Sequence, residues 1–394
     1  MIGINLVVLC NVDLSQKWGD YTRVFSLMNS LAKRKHNISI FVIRPEKKRS
    51  GVVLTRENLL DIIEIHPSFT IFSGKKGVGK YINYLLCIPE IFKEFSTINK
   101  KNKINFVYSY MPGIGSSLPA MILKLRYKIK HVLDFADLHV FVRPKIIADK
   151  SFKDADIIIA ITDYLRNDLL KRGIDAKKIH IIPNGVDLEM FDPDKYDMSE
   201  IEKLRKSFDA EKLVVFSGAL QDLNLIINSA PQVIKNVPKT KFVILGDHRN
   251  PVKSKNAWEK IAHDKGLGEY FVFLGKKPRN EVPKYLLCAN ICVDSFPNEP
   301  YYAAAHPIKL LEYGSCKKPV VATKVEETEK IVKDKVYGFL SSPDDPDEFA
   351  SHMITLLNSD DLCKKMGLEF SKYVGTNFNW DKISLDLEKS MLVN

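Results

Sequence analysis

The residues best placed to do chemistry lie between Pro297 and Thr323, around His306-Pro307-Ile308-Lys309-Leu310-Leu311-Glu312-Tyr313-Gly314. Pro307 lacks an N–H and suits the first turn of a helix, while Gly314 with Pro319 suits its end. A short helix entered from a loop turns its unpaired N–H groups and positive dipole end toward the space the loop leaves open, which makes an anion site. Lys309 adds a cation in the first turn, where the dipole alone disfavours one, and Glu312 follows three residues later on the same face. The competing reading is a surface ion pair between these two. Val320 to Thr323 reads as a buried parallel strand, so loop, helix and strand form part of an α/β unit whose ligand side is the loop. Lys309 and Glu312 are therefore expected to face one shared vacancy.

A second cluster closes the apolar run 131–135, where Asp134, Asp137 and His139 follow one another. Acidic groups at a strand's carboxyl end stand where α/β folds hold ligands, and this spacing favours a site over simple helix capping. The six cysteines form no CxxC pair and no Cys/His cluster of zinc spacing, so they read as buried thiols of a reducing compartment. No dedicated metal motif is present, and no cofactor is expected.

The elements that must position these groups alternate along the chain. A strand at 4–10, a polar loop carrying Gly19, an amphipathic helix at 21–35 with Val24, Leu27, Met28 and Leu31 on one face, and a strand at 38–43 open a doubly wound sheet. No G-x-G-x-x-G follows the first strand, which argues against a dinucleotide oxidoreductase, and Gly74 to Lys80 lacks phosphate-loop spacing and reads as a basic surface loop. A broad apolar helix is expected over 81–95, strands over 106–108, 131–135, 156–161 and 178–182, and a tight turn at Asn184-Gly185. The acidic stretch 192–209 reads as a linker. The pattern then recurs: strands at 213–217, 241–245, 271–274 and 291–294, the first three followed by Gly218, Gly246 and Gly275, and a final amphipathic helix at 380–392. The result is two similar α/β halves.

At 394 residues with 45% apolar content the chain can hold two full cores. Its net charge of +11 is uneven: residues up to 180 hold 30 basic and 16 acidic side chains, a net +14, against −3 for the remainder. The first half should meet something anionic. Without a nucleic-acid motif or an aromatic-basic stacking pattern, nucleic acid is not the expected partner; an anionic membrane surface or a phosphate-bearing acceptor fits, as does a generally lysine-rich surface. No apolar run is long enough to span a membrane, so the expected location is the cytoplasm or the inner face of the cell membrane.

Three stretches resemble the nucleotide-sugar-dependent retaining glycosyltransferases of family 4: Ile181 to Asp187 followed by Phe191; Phe273-Leu274-Gly275 with Val282-Pro283; and Pro307 to Thr323. The resemblance implies the GT-B architecture, two facing Rossmann-like domains with parallel sheets and an interdomain cleft. An acceptor domain would span 1–190, joined by a terminal helix at 378–394, and a donor domain 191–377. It implies sugar transfer from a nucleoside diphosphate to a lipid-linked or cell-surface glycan acceptor, with retention. Glu312 would accept the ribose hydroxyls, His306 and Pro307 would hold the diphosphate, Gly19 would let the first loop approach it, and Gly246 and Gly275 would border the base. Asp137 would lie by the reacting sugar. Asn184 and Gly218 complete the expected donor set, and His139 joins Asp137 and Lys309 as a catalytic candidate. Two departures are visible: the earlier of two glutamates usually seven residues apart is Ala304 here, and the loop Gly218 to Asp222 lacks the usual Arg and Lys. Lys309 is expected to supply the missing phosphate charge and Glu299 to help with the sugar. A catalytically silent homologue acting in a glycan-assembly complex, or an epimerase or phosphorylase of the same fold, remain alternatives at this level.

Overall fold

The computed structural model describes residues 3–12, 14, 19–45, 53–68, 78–138, 144–248 and 250–393. The chain forms two compact units, Met1–Asn184 with Trp380–Asn394, and Gly185–Asn379. In the first, strands β1 (Asn5–Cys10), β2 (Asn37–Ile43), β3 (Val53–Glu57), β4 (Leu60–Ile65), β5 (Phe106–Tyr110), β6 (Lys130–Phe135), β7 (Ile157–Ala160) and β8 (Ile179–Ile181) form one sheet in the order β3-β4-β2-β1-β5-β6-β7-β8. All neighbours run parallel except β3, which pairs antiparallel with β4. In the second, β9 (Lys212–Ser217), β10 (Thr240–Leu245), β11 (Phe271–Gly275), β12 (Ile291–Asp294), β13 (Val320–Thr323) and β14 (Gly338–Ser341) form an all-parallel sheet in the order β11-β10-β9-β12-β13-β14.

Parallel strands are covered on both faces, and the sequence supplies side chains for both. Val214, Phe216, Ile244, Val293 and Val321 pack on one face of the second sheet beneath the helices Asn224–Asn236 and Pro346–Leu357. Their neighbours Leu213, Val215, Val243, Leu245, Cys292 and Val320 pack on the other, with the helices Val282–Cys288, Ile308–Ser315 and Asp360–Asn377. The period of two along each strand thus builds two apolar layers from one sheet.

Several local expectations are corrected. The helix expected over 81–95 is two, Val78–Leu86 and Ile88–Lys101, separated at Cys87, because Pro89 has no N–H to continue the ladder and starts a new first turn instead. The stretch read as a linker folds into the second unit: Met198–Lys206 is a helix whose Ile201 joins the core with Leu286 and Phe191. Two of its acidic residues are caps, Asp192 and Asp197 accepting from the backbone N–H groups of Asp194 and Ser199 at 3.0 and 2.8 Å. The β3–β4 pair was not foreseen. The six cysteines are all buried and none forms a disulfide, and burial pushes the Cys10 and Cys292 thiols up to about 12.

The first unit is tied together by a buried charge. Arg23, on the inward face of the helix Gly19–Lys33, donates through Nε and Nη2 to Asp134 Oδ2 and Oδ1 at 2.8 and 2.9 Å. Its remaining donors reach the carbonyls of Ile182 and Pro183 (3.0 and 3.1 Å) and Asn184 Oδ1 (3.1 Å). Tyr108 also donates to Asp134. Asp134, 0% exposed, is therefore a core counter-ion and not a ligand carboxylate. The terminal helix Trp380–Leu392 packs on Gly19–Lys33, with Glu388 accepting from Arg34.

Candidate functional site

The second sheet changes winding direction between β9 and β12, since β10 and β11 lie on one side of β9 and β12 to β14 on the other. Crossovers depart in opposite directions there, so the carboxyl ends of β9 and β12 flank the opening where doubly wound sheets hold ligands.

Three glycines line the strand ends beside that point. Gly218 N donates to Leu245 O at 3.0 Å and Gly246 N to Gly275 O at 2.9 Å, so the backbones leaving β9, β10 and β11 lie edge to edge. Gly246 has φ +130°, and a Cβ there would sit 1.8 Å from the carbonyl oxygen of Gly218. Both the dihedral and the contact exclude a side chain. Gly246→Ala is expected to destabilise the second unit by at least ~2 kcal/mol, read as a lower denaturation midpoint.

The helix Ile308–Ser315 begins beside these ends. Pro307 is its N-cap, in extended backbone, and no side chain among the described residues caps that end. Leu310 N donates to Pro307 O at 3.2 Å, and the N–H groups of Ile308 and Lys309 are left for solvent or an anion. Tyr313 anchors the helix, its buried hydroxyl accepting from Ser217 N at 2.9 Å and lying 3.3 Å from Ser217 O. Burial holds that phenol well above its usual range, so it stays a neutral donor and acceptor. The helix does not stop at Gly314, as the sequence suggests. Gly314 lies inside it because a Cβ there would meet Val374 and Phe370 of Asp360–Asn377 at 2.7 and 3.1 Å. The turn that ends the helix is made by Lys317, with φ +56° and Lys318 N donating to Tyr313 O at 3.0 Å.

Lys309 and Glu312 are both nearly buried, which excludes the surface pair, and each has its own partner. Lys309 Nζ lies 2.7 Å from Asp294 Oδ1 and above the rings of Phe216 and Phe296, 4.5 and 4.3 Å from their centroids. Its stem runs past Gly218, whose added Cβ would stand 3.4 Å from Lys309 Cε. Glu312 Oε1 lies 2.7 Å from Arg279 Nη2, a close charge contact without the alignment of a hydrogen bond, and the Arg279 guanidinium sits 5.5 Å from the Phe191 ring centroid. Burial holds the Asp294 carboxyl above the ordinary range, with Lys309 opposing that shift.

Among the sequence candidates, Gly218, Gly246, Gly275 and Lys309 meet at the strand ends, and Pro307 and Glu312 share the Lys309 helix. His306 is buried, its ring 5.5 Å from that of Phe378. Glu299 is exposed at the N-cap of the four-residue helix Pro300–Ala303. In the first unit, Gly19 opens the helix Gly19–Lys33, Asp137 is half-buried two residues beyond β6, and Asn184 accepts from Arg23. His139 and residues 74–77 of the basic loop lie outside the described residues. Among the described residues, no group of three or more His, Cys, Asp or Glu side chains could hold a metal ion.

A family model described as Glycosyltransferase Family 4 matches residues 21–190, and one described as Glycosyl transferases group 1 matches 211–359. The chain belongs to the group 1, family 4 glycosyltransferases. Curated relatives agree. An uncharacterized glycosyltransferase of Methanocaldococcus jannaschii is 23% identical over 68% of this chain and 69% of its own. A phosphatidylinositol N-acetylglucosaminyltransferase component of Arabidopsis thaliana is 26% identical over 68% of this chain and 59% of its own. A D-inositol 3-phosphate glycosyltransferase of Corynebacterium urealyticum is 24% identical over 62% and 58%. The match thus spans about three fifths of the length of these last two. Among solved structures, a glycosyltransferase of Rickettsia africae superposes with a TM-score of 0.76 at 16% identity over 100% of both chains. Sucrose-phosphate synthase of Thermosynechococcus elongatus gives 0.73 at 16% over 98% of both. Anabaena HepE, solved in complex with UDP-glucose, gives 0.70 at 14% over 99% of this chain and 100% of its own. The fold of this glycosyltransferase is GT-B.

The candidate site also brings Lys309 and Glu312 against residues that sequence reasoning missed: Asp294, Arg279, Phe216 and Phe296. A signal existed for the first. Asp294 ends an otherwise apolar strand, Ile-Cys-Val-Asp, where a buried carboxylate needs a partner.

Proposed function

We propose that this glycosyltransferase moves a sugar from a nucleoside diphosphate sugar to a phosphate-bearing acceptor, a lipid-linked or cell-surface glycan precursor, with retention of anomeric configuration, while peripherally associated with an anionic membrane. The observation that carries the donor reading is the uncapped amino end of Ile308–Ser315 beside the Lys309 ammonium at the β9/β12 opening. Breaking a sugar–phosphate bond leaves charge on the diphosphate as the sugar gains oxocarbenium character, and fixed cations and amide dipoles stabilise that charge without reorganising. Lys309, His306 and Pro307 serve the diphosphate, Glu312 the ribose hydroxyls, Gly246 and Gly275 the base, Glu299 the sugar, and Asp137 the acceptor side of the first unit. No metal is assigned to the reaction.

The acceptor reading rests on the +14 charge of residues 1–180 and on two relatives whose names specify phosphatidylinositol and inositol 3-phosphate. Among the described residues no helix is long and apolar enough to cross a membrane, so attachment through surface charge is the proposed mode. The test incubates purified protein with a panel of nucleoside diphosphate sugars and vesicles of phosphatidylcholine with or without phosphatidylinositol, following glycolipid products by mass spectrometry and anomeric configuration by NMR. Transfer only in the presence of the anionic lipid, with the donor's configuration kept, is expected. Transfer to neutral acceptors alone would overturn the acceptor reading, and an inverted product would overturn retention.

A further inference from the structure

We infer that Asp294 is a positioning residue for this reaction: it holds the Lys309 ammonium in place before any diphosphate arrives. The inference rests on the reading of Lys309 as the phosphate-facing cation, and it adds a residue with no assigned role. Asp294 is the last residue of β12, 1% exposed, on the strand that flanks the opening. Its Oδ1 accepts from Lys309 Nζ at 2.7 Å, whereas its Oδ2 has no hydrogen-bond partner among the described residues. The carboxylate therefore depends on this one ammonium for counter-charge.

Lysine is a point charge on a flexible four-carbon stem, and alone it would sample many rotamers at the mouth of a site. Here three features remove that freedom. Gly218 gives the stem a flat wall, the faces of Phe216 and Phe296 flank the ammonium, and Asp294 fixes its depth. Aromatic faces attract a cation without choosing one direction, so the directional element is the carboxylate. The side chain is 12% exposed, so it is not sealed from solvent. A charge fixed in advance acts on the transition state without reorganisation, at the expense of a neutralising neighbour.

The test compares wild type, Asp294→Asn and Asp294→Glu, with Lys309→Met used to assign the Lys309 ε-methylene in 13C-lysine-labelled protein. Relaxation of that methylene reads how firmly the side chain is held, whatever the reaction. In wild type it should be as rigid as the backbone, in Asp294→Asn as mobile as an exposed lysine, and in Asp294→Glu intermediate, with denaturation midpoints unchanged. In transfer assays Asp294→Asn should lose about 10- to 100-fold in kcat with donor KM altered less than about 3-fold. An equally rigid Lys309 in Asp294→Asn would overturn the inference. So would a loss of kcat that only follows a loss of folded protein. A mobile Lys309 with unchanged kcat would leave the positioning standing and refute the phosphate role of Lys309 itself.

Discussion

Lys309→Met is expected to lower kcat for sugar transfer by about 10²- to 10³-fold, the usual loss when one fixed donor to a developing negative charge is removed. Methionine keeps an apolar stem between Phe216 and Phe296 and leaves Gly218 uncrowded, so packing changes little. The side chain most affected is Asp294, which loses the ammonium it is bonded to. Burial already raises that carboxyl and Lys309 opposes the shift, so removing the ammonium raises it further. The stability cost of taking one partner from a buried pair is on the order of 3 kcal/mol and is read from urea midpoints beside the kinetics. Lys309→Arg keeps the charge but brings a planar fork into a slot bounded by two rings, and it should recover only part of the rate.

Arg23→Met should cost the first unit about 3 to 5 kcal/mol, the range for removing one partner of a buried ion pair. All five of the Arg23 bonds described above would be lost, and Asp134 would remain at 0% exposure with Tyr108 as its one side-chain donor among the described residues. Tyr108 cannot substitute by ionic means, because burial beside Asp134 pushes its phenol further toward the neutral form. A second substitution, Asp134→Leu in the Arg23→Met background, removes the stranded charge and should regain most of the loss, since buried pairs replaced together by apolar groups are close to neutral. Denaturant melts of Arg23→Met, Asp134→Leu and the double variant complete the cycle. Equal midpoints for wild type and Arg23→Met would show that the pair carries no weight.

The two cases also mark what a linear reading can reach. The place of Lys309 in the first turn of a short helix was legible because the signals are local: a proline at the start of a helix and a cation where the dipole disfavours one are visible within a single turn. The strands of the second sheet were legible because burial on both faces leaves continuous apolar runs, and the glycines after them because they punctuate those runs. Asp294 and Arg279 were not, since their partners stand 15 and 33 positions away and pairing across elements has no period. Arg23 is instructive because it lies one helical turn before Leu27, on the apolar face, where a charge must be paired inside the fold. Gly314 was misread for a related reason. Glycine ends helices by taking a left-handed backbone, but it also lets two helices approach closely, and only the position of Phe370 and Val374 decides between the two.

If the amino end of Ile308–Ser315 and Lys309 together hold the donor's diphosphate, affinity must come from the phosphates and must pass through this lysine. Calorimetric titration of a nucleoside diphosphate and its parent nucleoside, UDP and uridine first, into wild type and Lys309→Met separates those contributions. Wild type should bind the diphosphate at least about 100-fold more tightly than the nucleoside, a margin of about 2.7 kcal/mol. Lys309→Met should lose most of that margin while its nucleoside affinity stays the same. A margin that survives intact in Lys309→Met would place the diphosphate elsewhere and contradict the assignment of this helix.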